Sequence, residues 1–214
     1  MLVLGINTSG PACDVAIVRG DKVLVHRVED MKRGQDARLS ELIAEAFEEA
    51  DTDLDTLDAI GVVTGPGSFT GVRVGIAYAR GLALALNIPC IGITSLEAAL
   101  PEGQQGSAFV MFPAQRRRPD ITFWTQRFRS GEATGPPEEL RLEAIVSLLK
   151  AHPHMLYGDA GALTDVEPDM VVRAAATSAI QTARLAAAFD PETHPPRATY
   201  ARAPDALLPG GVKL

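Results

Sequence analysis

A glycine-rich segment, GPGSFTGVRVG at residues 65–75, has residue types and spacing that suit anion binding. It follows an apolar, β-branched run at 60–64 that is typical of a central strand, and it leads into a helix predicted over 72–86. Glycines permit backbone conformations closed to other residues, and the first turn of a helix presents unpaired N–H groups with partial positive charge, so an anion can rest there. The candidate anion-binding residues are Gly65, Gly67, Ser68, Thr70 and Gly71.

The spacing of this loop does not match the common nucleotide-binding motifs. No lysine follows the last loop glycine, as it would in Walker A, and no suitable acidic residue stands about 20 residues later, as it would in a dinucleotide fingerprint. A plain structural turn is therefore an equally good interpretation of the glycines taken alone.

The composition predicts a compact soluble protein. The 214 residues are 46% hydrophobic and carry a net charge of −7, which argues against nucleic-acid binding through a broad basic face. The run Arg116-Arg117-Arg118 could contact phosphate, although a solvated loop is the favoured interpretation. Cys13 and Cys90 stand far apart beside apolar runs, a reduced, core-filling pattern that favours the cytoplasm. With neither a leader nor a long uninterrupted apolar span in view, we expect neither secretion nor membrane insertion.

The first hundred residues predict three strands, a helix, and then a strand, a long helix and a strand. The opening strands are expected at 2–6, 14–19 and 22–27 as an antiparallel meander. Apolar residues at helical spacing over 39–50 predict the first helix. A further helix is predicted from Ser95.

The second half begins at a polar, glycine-bearing linker near residues 101–106. Its predicted elements are strands at 108–112, 121–127 and 155–157, a helix from about Pro137, and a helix over 178–189. Beyond Asp190, repeated prolines predict an extended tail without regular structure.

The glycine-rich segment and the opening Leu4-Gly5-Ile6-Asn7-Thr8-Ser9 together closely resemble the bacterial TsaB (YeaZ) family. That family is the dimerisation subunit of the machinery that makes threonylcarbamoyladenosine (t6A) in tRNA. The resemblance covers the first hundred residues well and is thin between 101 and 153. Further matching segments are 81–83, 91–96, 157–161 and 200–206.

The resemblance implies an actin/hexokinase-like (ASKHA) α/β fold with two lobes, each a mixed sheet with flanking helices. Residues 1–100 would form the N-terminal lobe, with the glycine-rich loop and the partner-binding helices, and 101–214 a smaller C-terminal lobe with a proline-rich tail. It also implies a non-catalytic subunit that binds and activates a TsaD-type threonylcarbamoyl transferase, for t6A modification of tRNAs that read codons beginning with A. Periodicity alone supports only a mixed α/β protein.

The same resemblance implies a heterodimer with the transferase subunit, a homodimer when the chain is alone, and contact with a TsaE-type ATPase and with tRNA through the complex. It implies no tightly bound cofactor, with nucleotide only at a partner interface. The expected contact face is the exposed side of the first two helices, where Gly71, Gly75 and Ala79 recur every four residues and would let another helix approach closely. Intramolecular packing of these small residues is the alternative. The predicted partner-binding residues are Arg38, Glu41, Glu45, Gly75, Tyr78 and Ala79.

Nucleotide enzymes of the actin-like fold generally place an acidic residue at the end of the first strand, where this chain has Asn7. An amide lacks the negative charge that holds a divalent cation, so a capping amide is the favoured interpretation of Asn7. Asp159 follows a predicted strand and could be either the opposing acid of a cleft or a helix cap. Asn7 and Asp159 are therefore weak nucleotide-cleft candidates, and we expect no catalytic residue.

The four histidines show no metal-binding spacing, and no histidine lies close in sequence to Ser9 or Ser68, so we expect neither a metal site nor a Ser-His-Asp triad. The chain also departs from the family pattern, because Pro113-Ala114-Gln115 replaces an Asp-Ala-Arg segment and Gly34-Gln35 replaces a Glu-His pair. Two other functions stay open. One is an active small-molecule kinase or ATPase with phosphates on the glycine-rich loop, and the other is a self-associating structural protein.

Overall fold

The computed structural model describes residues 1–31, 33–115, 121–151, 155–159 and 171–199, which form two mixed β-sheets with flanking helices. The first sheet has the order β3-β2-β1-β4-β5. Its strands are β1 (Leu2–Asn7), β2 (Ala12–Arg19), β3 (Lys22–Asp30), β4 (Ala59–Val63) and β5 (Cys90–Ile93). The predicted meander is confirmed, since β1, β2 and β3 pair antiparallel, whereas β1, β4 and β5 run parallel.

Helices cover both faces of this first sheet, which explains why every residue of β1 and β4 is buried. On one face lie α1 (Gln35–Glu49) and α2 (Phe69–Leu86), and α4 (Ala179–Ala188) lies on the other. The apolar stripe of α1 is buried as its spacing predicts, with Leu39, Leu42, Ile43, Ala46 and Phe47 in the core.

The second helix, α2, begins three residues before the predicted start because Ser68 caps it. The Ser68 hydroxyl accepts a hydrogen bond from the Gly71 backbone N–H at 3.2 Å. At the other end Asn87 adopts the left-handed conformation with φ of 56°, which stops the helix at Leu86.

The close packing of α4 on the first sheet depends on two glycines. A Cβ atom at Gly5 would overlap the Ala179 carbonyl oxygen, and one at Gly61 would lie 2.7 Å from both the Ala186 Cβ and the Thr182 carbonyl oxygen. This helix comes from the second half of the chain, so the predicted division at residue 100 does not describe which residues pack together. The first lobe includes α4.

The second sheet has the order β11-β10-β6-β7-β8, with β9 also paired to β7. Its elements are β6 (Ser107–Gln115), β7 (Thr122–Arg129), β8 (Glu132–Ala133), β9 (Glu138–Arg141), α3 (Leu142–Ala151), β10 (Met155–Gly158) and β11 (Val172–Ala174). One core cluster between this sheet and α3 contains Phe109, Phe123 and Ile145. The two lobes and their mixed sheets confirm the predicted α/β class.

Two predicted helix starts are wrong. The segment expected to begin a helix near Pro137 is instead β9, because residues 138–141 form an antiparallel ladder with β7, and α3 begins only at Leu142. The helix predicted from Ser95 is a single 3-10 turn, Glu97–Ala99, which ends where Pro101 restricts Leu100 to an extended conformation. The short strands β8 and β11 were not predicted, since neither shows alternating hydrophobicity.

The segment 190–199 runs without helix or strand along β5, the edge strand of the first sheet. The Gly92 N–H donates to the His194 carbonyl oxygen at 2.8 Å, and the Thr199 N–H donates to the Thr64 carbonyl oxygen at 2.8 Å. The first bond satisfies a backbone group of the edge strand β5, and the second holds the segment to the residue that follows β4. The rest of the predicted tail, from residue 200, lies outside the described residues.

The packing of α4 predicts the effect of one added methyl group. Gly5→Ala should lower the free energy of unfolding by about 1–3 kcal/mol or more, because the new Cβ overlaps backbone that cannot move independently. Gly81→Ala is the matched control, since no atom lies within 4 Å of a Cβ at Gly81. That change should raise stability by about 1 kcal/mol through helix propensity. Urea unfolding measures both, and an unchanged Gly5→Ala midpoint would contradict the close approach of α4.

Candidate functional site

The glycine-rich loop is held against the end of β1. The Ser68 N–H donates to the Ser9 carbonyl oxygen at 2.7 Å, and a Cβ at Gly67 would lie 2.5 Å from that same oxygen. A Cβ at Gly71, the first-turn glycine of α2, would overlap the Thr8 carbonyl oxygen. Packing alone therefore explains two of the glycines, and anion binding by the predicted set stays a prediction.

The other side of the loop is also anchored. The Ser95 N–H donates to the Gly65 carbonyl oxygen at 2.9 Å, and the Ser95 hydroxyl donates to the Pro66 carbonyl oxygen at 2.6 Å. Gly65 has a φ of 94°, a conformation that requires glycine. Thr70 lies exposed in the first turn of α2. The loop is thus a fixed turn joining β4 to α2.

Asn7 lies in a buried polar network at the end of β1. Its Oδ1 accepts hydrogen bonds from the Ser9 N–H at 3.0 Å and the Ser9 hydroxyl at 2.8 Å. Its Nδ2 donates to Asp14 Oδ2 at 3.2 Å and to the Thr177 carbonyl oxygen at 3.3 Å. Both ends of the amide are occupied by protein groups, which supports the capping interpretation of Asn7.

Asp14 is the buried acid of this network, and sequence reasoning missed it. Its Oδ2 also accepts from the Ala179 N–H at the start of α4 at 2.9 Å, where the helix dipole favours a carboxylate. Its Oδ1 contacts His26 Nε2 at 2.9 Å. The signal that could have found it is the hairpin register, which pairs Asn7 directly with Asp14.

The two predicted cleft residues are linked through residues 175–177, which follow β11 and are neither helix nor strand. Asn7 bonds the Thr177 carbonyl oxygen, as described, and the Ala175 N–H of the same segment donates to the Gly158 carbonyl oxygen at 3.4 Å. Asp159 follows Gly158 directly, and its N–H donates to the Met111 carbonyl oxygen at 3.3 Å. Asp159 does not begin a described helix, so its backbone joins the end of β10 to β6.

Several side chains that could take part in covalent or metal chemistry lie in the described part of the chain, and their arrangement can be compared with known sites. The Ser9 hydroxyl donates to Asn7, whereas His26 contacts Asp14, so Ser9, His26 and Asp14 do not form a triad. Within the described ranges no cluster of three histidine, cysteine or acidic side chains has metal-binding geometry. Burial raises the pKa of the Cys13 thiol to about 11 and that of Cys90 to about 12, so both stay protonated at neutral pH.

A substitution at Asn7 tests the network. Asn7→Asp would set a second carboxylate beside Asp14, and one of the two would then take an elevated pKa. An elevated carboxyl pKa in the folded state destabilises the protein above the ordinary aspartate pKa of about 3.9, and this loss disappears as pH falls. The variant should therefore be much less stable than wild type at about pH 8 and recover at about pH 4 to 5.

The control for this experiment is Asn7→Ala, which removes the same hydrogen bonds without adding charge. Its loss of stability should change little with pH. Thermal melts of the three proteins across the pH range decide the matter. A pH-independent loss in Asn7→Asp would contradict the placement of Asn7 against the Asp14 carboxylate.

The predicted partner-binding charges on α1 bind each other and β3. Arg38 Nη2 lies 2.6 Å from Glu29 Oε1, and Arg38 Nη1 lies 2.7 Å from Glu45 Oε1 and 3.1 Å from Glu41 Oε2. Glu45 also accepts from Arg27 Nη1 at 2.6 Å. Arg38, Glu41 and Glu45 thus form an intramolecular ion-pair network between α1 and β3, and their contact with a partner stays a prediction.

Hydrogen bonds from Arg38 lower the pKa of Glu29 and of Glu45, and the same pairs raise the pKa of Arg38. A carboxyl group with a lowered pKa stabilises the folded state above the ordinary glutamate pKa of about 4.3, and this contribution is lost as pH falls through the lowered value. The network therefore contributes to the acid sensitivity of the fold.

Arg38→Met should reduce stability at neutral pH and flatten its decline between about pH 5 and pH 3, because the two glutamates then titrate nearer their unfolded values. Arg80→Met is the control, since Arg80 is an exposed cation of α2. It should leave the slope of stability against pH unchanged. Chemical unfolding at several pH values measures both, and equal slopes for wild type and Arg38→Met would disprove the network's role.

Gly75 and Ala79, which were predicted to lie on the exposed side of α2, do not lie there, and their contact with a partner stays a prediction. Gly75 and Ala79 are buried, and a Cβ at Gly75 would meet the Thr8 hydroxyl and lie 3.6 Å from a Val62 methyl carbon. These small residues let α2 approach β1 and β4, which is the intramolecular alternative. Sequence periodicity identified a stripe of small residues but could not say which way it faces.

The exposed side of α2 carries a different set of small and apolar residues. Ala77, Gly81 and Ala85 follow one another at four-residue spacing and are exposed, and Leu84 beside them is 84% exposed. We call these four residues the α2 stripe. Tyr78 is half-buried next to it and faces α1.

At the start of α2, Phe69 is 54% exposed and stacks beneath the Arg73 guanidinium, 3.7 Å from the ring centroid. Among the described helices, α2 is long and apolar enough to span a membrane by length and composition. This is weak evidence, because the packed helix of a soluble core passes the same test.

The fold defines an actin-like, two-lobed α/β protein. A structure of YeaZ from Pseudomonas aeruginosa superposes with a TM-score of 0.71 at 24% identity, covering 93% of this chain and 99% of that chain. A second Pseudomonas aeruginosa structure, described as an uncharacterized protein with similarity to peptidase YEAZ, gives a TM-score of 0.73 at 24% identity, with 94% and 99% covered.

Two of the sequence relatives carry the same name. The Escherichia coli protein named tRNA threonylcarbamoyladenosine biosynthesis protein TsaB is 30% identical over 158 residues, 72% of this chain and 66% of its own length. The Bacillus subtilis protein of the same name is 28% identical over 152 residues, 70% of this chain and 66% of its own. The matched part thus spans just under two thirds of each relative.

The family model described as TsaD, tRNA N6-adenosine threonylcarbamoyltransferase, matches residues 28–115. The chain is therefore similar in sequence to proteins named TsaB and in fold to YeaZ.

Proposed function

We propose that this protein is a non-catalytic dimerisation subunit of a t6A-synthesising complex, which binds and activates a TsaD-type threonylcarbamoyl transferase. The complex modifies tRNAs that read codons beginning with A, with a TsaE-type ATPase as a further partner, and it works in the cytoplasm. The relatives named for threonylcarbamoyladenosine biosynthesis support the pathway. The α2 stripe is the observation that supports a subunit role.

The α2 stripe is suited to bind another helix. Ala77, Gly81 and Ala85 leave a shallow groove in which a second helix can approach the α2 backbone, and no atom lies within 4 Å of a Cβ at Gly81. Leu84, beside them, is an apolar side chain left in water. Exposed apolar surface of this kind marks interaction sites on soluble proteins. The same stripe would pair two copies of the chain when the transferase subunit is absent.

Charge supports an indirect role on tRNA. The chain carries a net charge of −7, and affinity for nucleic acid comes mainly from cationic side chains that neutralise phosphates. Arg116, Arg117 and Arg118 lie outside the described residues. We therefore assign tRNA binding to the assembled complex.

The proposal that the subunit is non-catalytic rests on two side chains at the end of β1. A phosphoryl-transfer site needs a carboxylate free to hold the metal or its water, whereas Asn7 is an amide and both oxygens of Asp14 accept hydrogen bonds from protein groups. Any nucleotide would then bind at the interface with the transferase subunit, where the partner supplies the missing ligands.

Gly81→Arg tests the proposal. Arginine has better helix propensity than glycine and meets open space, so the melting temperature should stay near wild type or rise. A long charged side chain in the α2 stripe should nevertheless weaken binding to the TsaD-type subunit by at least about tenfold. Titration of the labelled transferase subunit with each variant measures the affinity.

Two controls separate the interface from general effects. Gly81→Ala keeps the stripe small and should bind normally. Ala187→Arg places the same side chain on an exposed position of α4 and should also bind normally. A folded Gly81→Arg protein with wild-type affinity would reject the stripe as the contact face. Gly75→Arg, by contrast, should destabilise the monomer itself, because Gly75 packs on Thr8.

A further inference from the structure

A groove of about 580 Å³ lies beside the α2 stripe, between α1, α2 and the turn that follows α1. Its lining residues are Ser40, Ile43, Ala44, Phe47, Glu48, Asp51, Thr52, Asp53, Leu54 and Tyr78. The floor is apolar, with Ile43 and Phe47 belonging to the main core cluster of the first lobe and Leu54 packed against it. We call this feature the acidic groove, because three carboxylates lie on its rim.

Three carboxylates on the rim of the acidic groove have no cationic partner among the described residues. Glu48, Asp51 and Asp53 form no ion pair or side-chain hydrogen bond there. The nearby Arg19 donates to the Thr52 hydroxyl at 3.2 Å rather than to a carboxylate. This differs from the opposite side of α1, where Glu41 and Glu45 are paired with Arg38. Three unpaired negative charges around an apolar floor leave the groove without charge compensation.

The side of the acidic groove formed by α2 carries a hydroxyl group that is available for hydrogen bonding. The Tyr78 hydroxyl makes no hydrogen bond to any described residue, and burial raises its pKa, so it remains a neutral donor. Tyr78 immediately follows Ala77 of the α2 stripe. Gly81 of the stripe follows Tyr78 by three residues, a spacing at which helix positions are neighbours, so the acidic groove and the stripe adjoin.

We propose that the acidic groove receives a basic amphipathic segment of the transferase-type subunit, with an apolar side chain on the floor and lysine or arginine side chains against Glu48, Asp51 and Asp53. This inference rests on the proposed function. Charge complementarity selects the occupant, because an acidic or neutral segment would leave the three carboxylates unpaired and further from water.

The same charges disfavour a second copy of this chain. In a symmetric dimer each copy brings the same acidic rim to the contact region, and the chain as a whole carries a net charge of −7. Like charges brought together at an interface are repulsive. The groove thus makes the hetero-pair more favourable than the homodimer that shares the α2 stripe.

The two pairings should therefore respond to salt in opposite directions. Salt screens attraction in the hetero-complex and repulsion in the homodimer. Between about 50 mM and 500 mM NaCl, the hetero-complex should weaken and the homodimer should tighten. Titration of the transferase subunit and sedimentation of the isolated chain measure the two dissociation constants.

A triple variant, Glu48→Gln with Asp51→Asn and Asp53→Asn, removes the charges while keeping side-chain size. Asn suits position 51, where φ is 48°. The control removes three exposed acids elsewhere, by Asp21→Asn, Glu132→Gln and Glu192→Gln, for the same change in net charge. At low salt the groove variant should bind the transferase subunit roughly tenfold more weakly, lose most of its salt dependence and self-associate more tightly. The control should differ from wild type by less than about twofold.

A bulky side chain in the groove tests whether the partner occupies the apolar floor. Ala44 is exposed, so Ala44→Trp should fold normally while occupying the groove, and it should weaken the hetero-complex. If both groove variants bind like wild type while Gly81→Arg does not bind, the groove inference fails and the proposed function stands. If the wild-type chain fails to bind the transferase subunit, both fail.

Discussion

The close approach of α4 to the first sheet is the constraint on which the rest of this structure depends. Gly5 and Gly61 allow the helix backbone to reach the strands, and the Asp14 carboxylate accepts the first N–H of the helix at 2.9 Å. Asp14 in turn is positioned by Asn7 and His26. A helix from the second half of the chain is thereby fixed on the first lobe, and the polar end of β1 is used for structure.

This arrangement decides which surfaces remain for a partner. With α4 on one face of the sheet, α1 and α2 cover the other, and their outer sides face solvent. Because Gly71 and Gly75 have no side chain, α2 packs closely against Thr8 at the end of β1. Ala77, Gly81 and Ala85 then face outward. Both sets of small residues thus have a role, one in forming the lobe and the other in the proposed pairing. The unpaired carboxylates on the rim of the acidic groove would favour a partner with basic side chains.

Sequence patterns predicted most of the first lobe because its signals are local. The α1 stripe and the meander both follow from residues close together in the chain. Whether Gly75 or Gly81 faced outward depended on Thr8, which lies far away in sequence and sets the side of closest packing. The role of Asp14 required the hairpin register and a helix start at Ala179. The pairing of β9 with β7 likewise explains why no helix begins near Pro137.

Site-specific photo-cross-linking tests the central claim, that the outer side of α2 is the partner face because α4 closes the opposite side of the sheet. A photoreactive side chain at position 77 of the intact protein should cross-link to the TsaD-type subunit, whereas one at position 187, exposed on α4, should not. Both positions are exposed alanines on helices, so the reactivity of the probe is matched. Cross-linking from position 187 with none from position 77 would contradict the account.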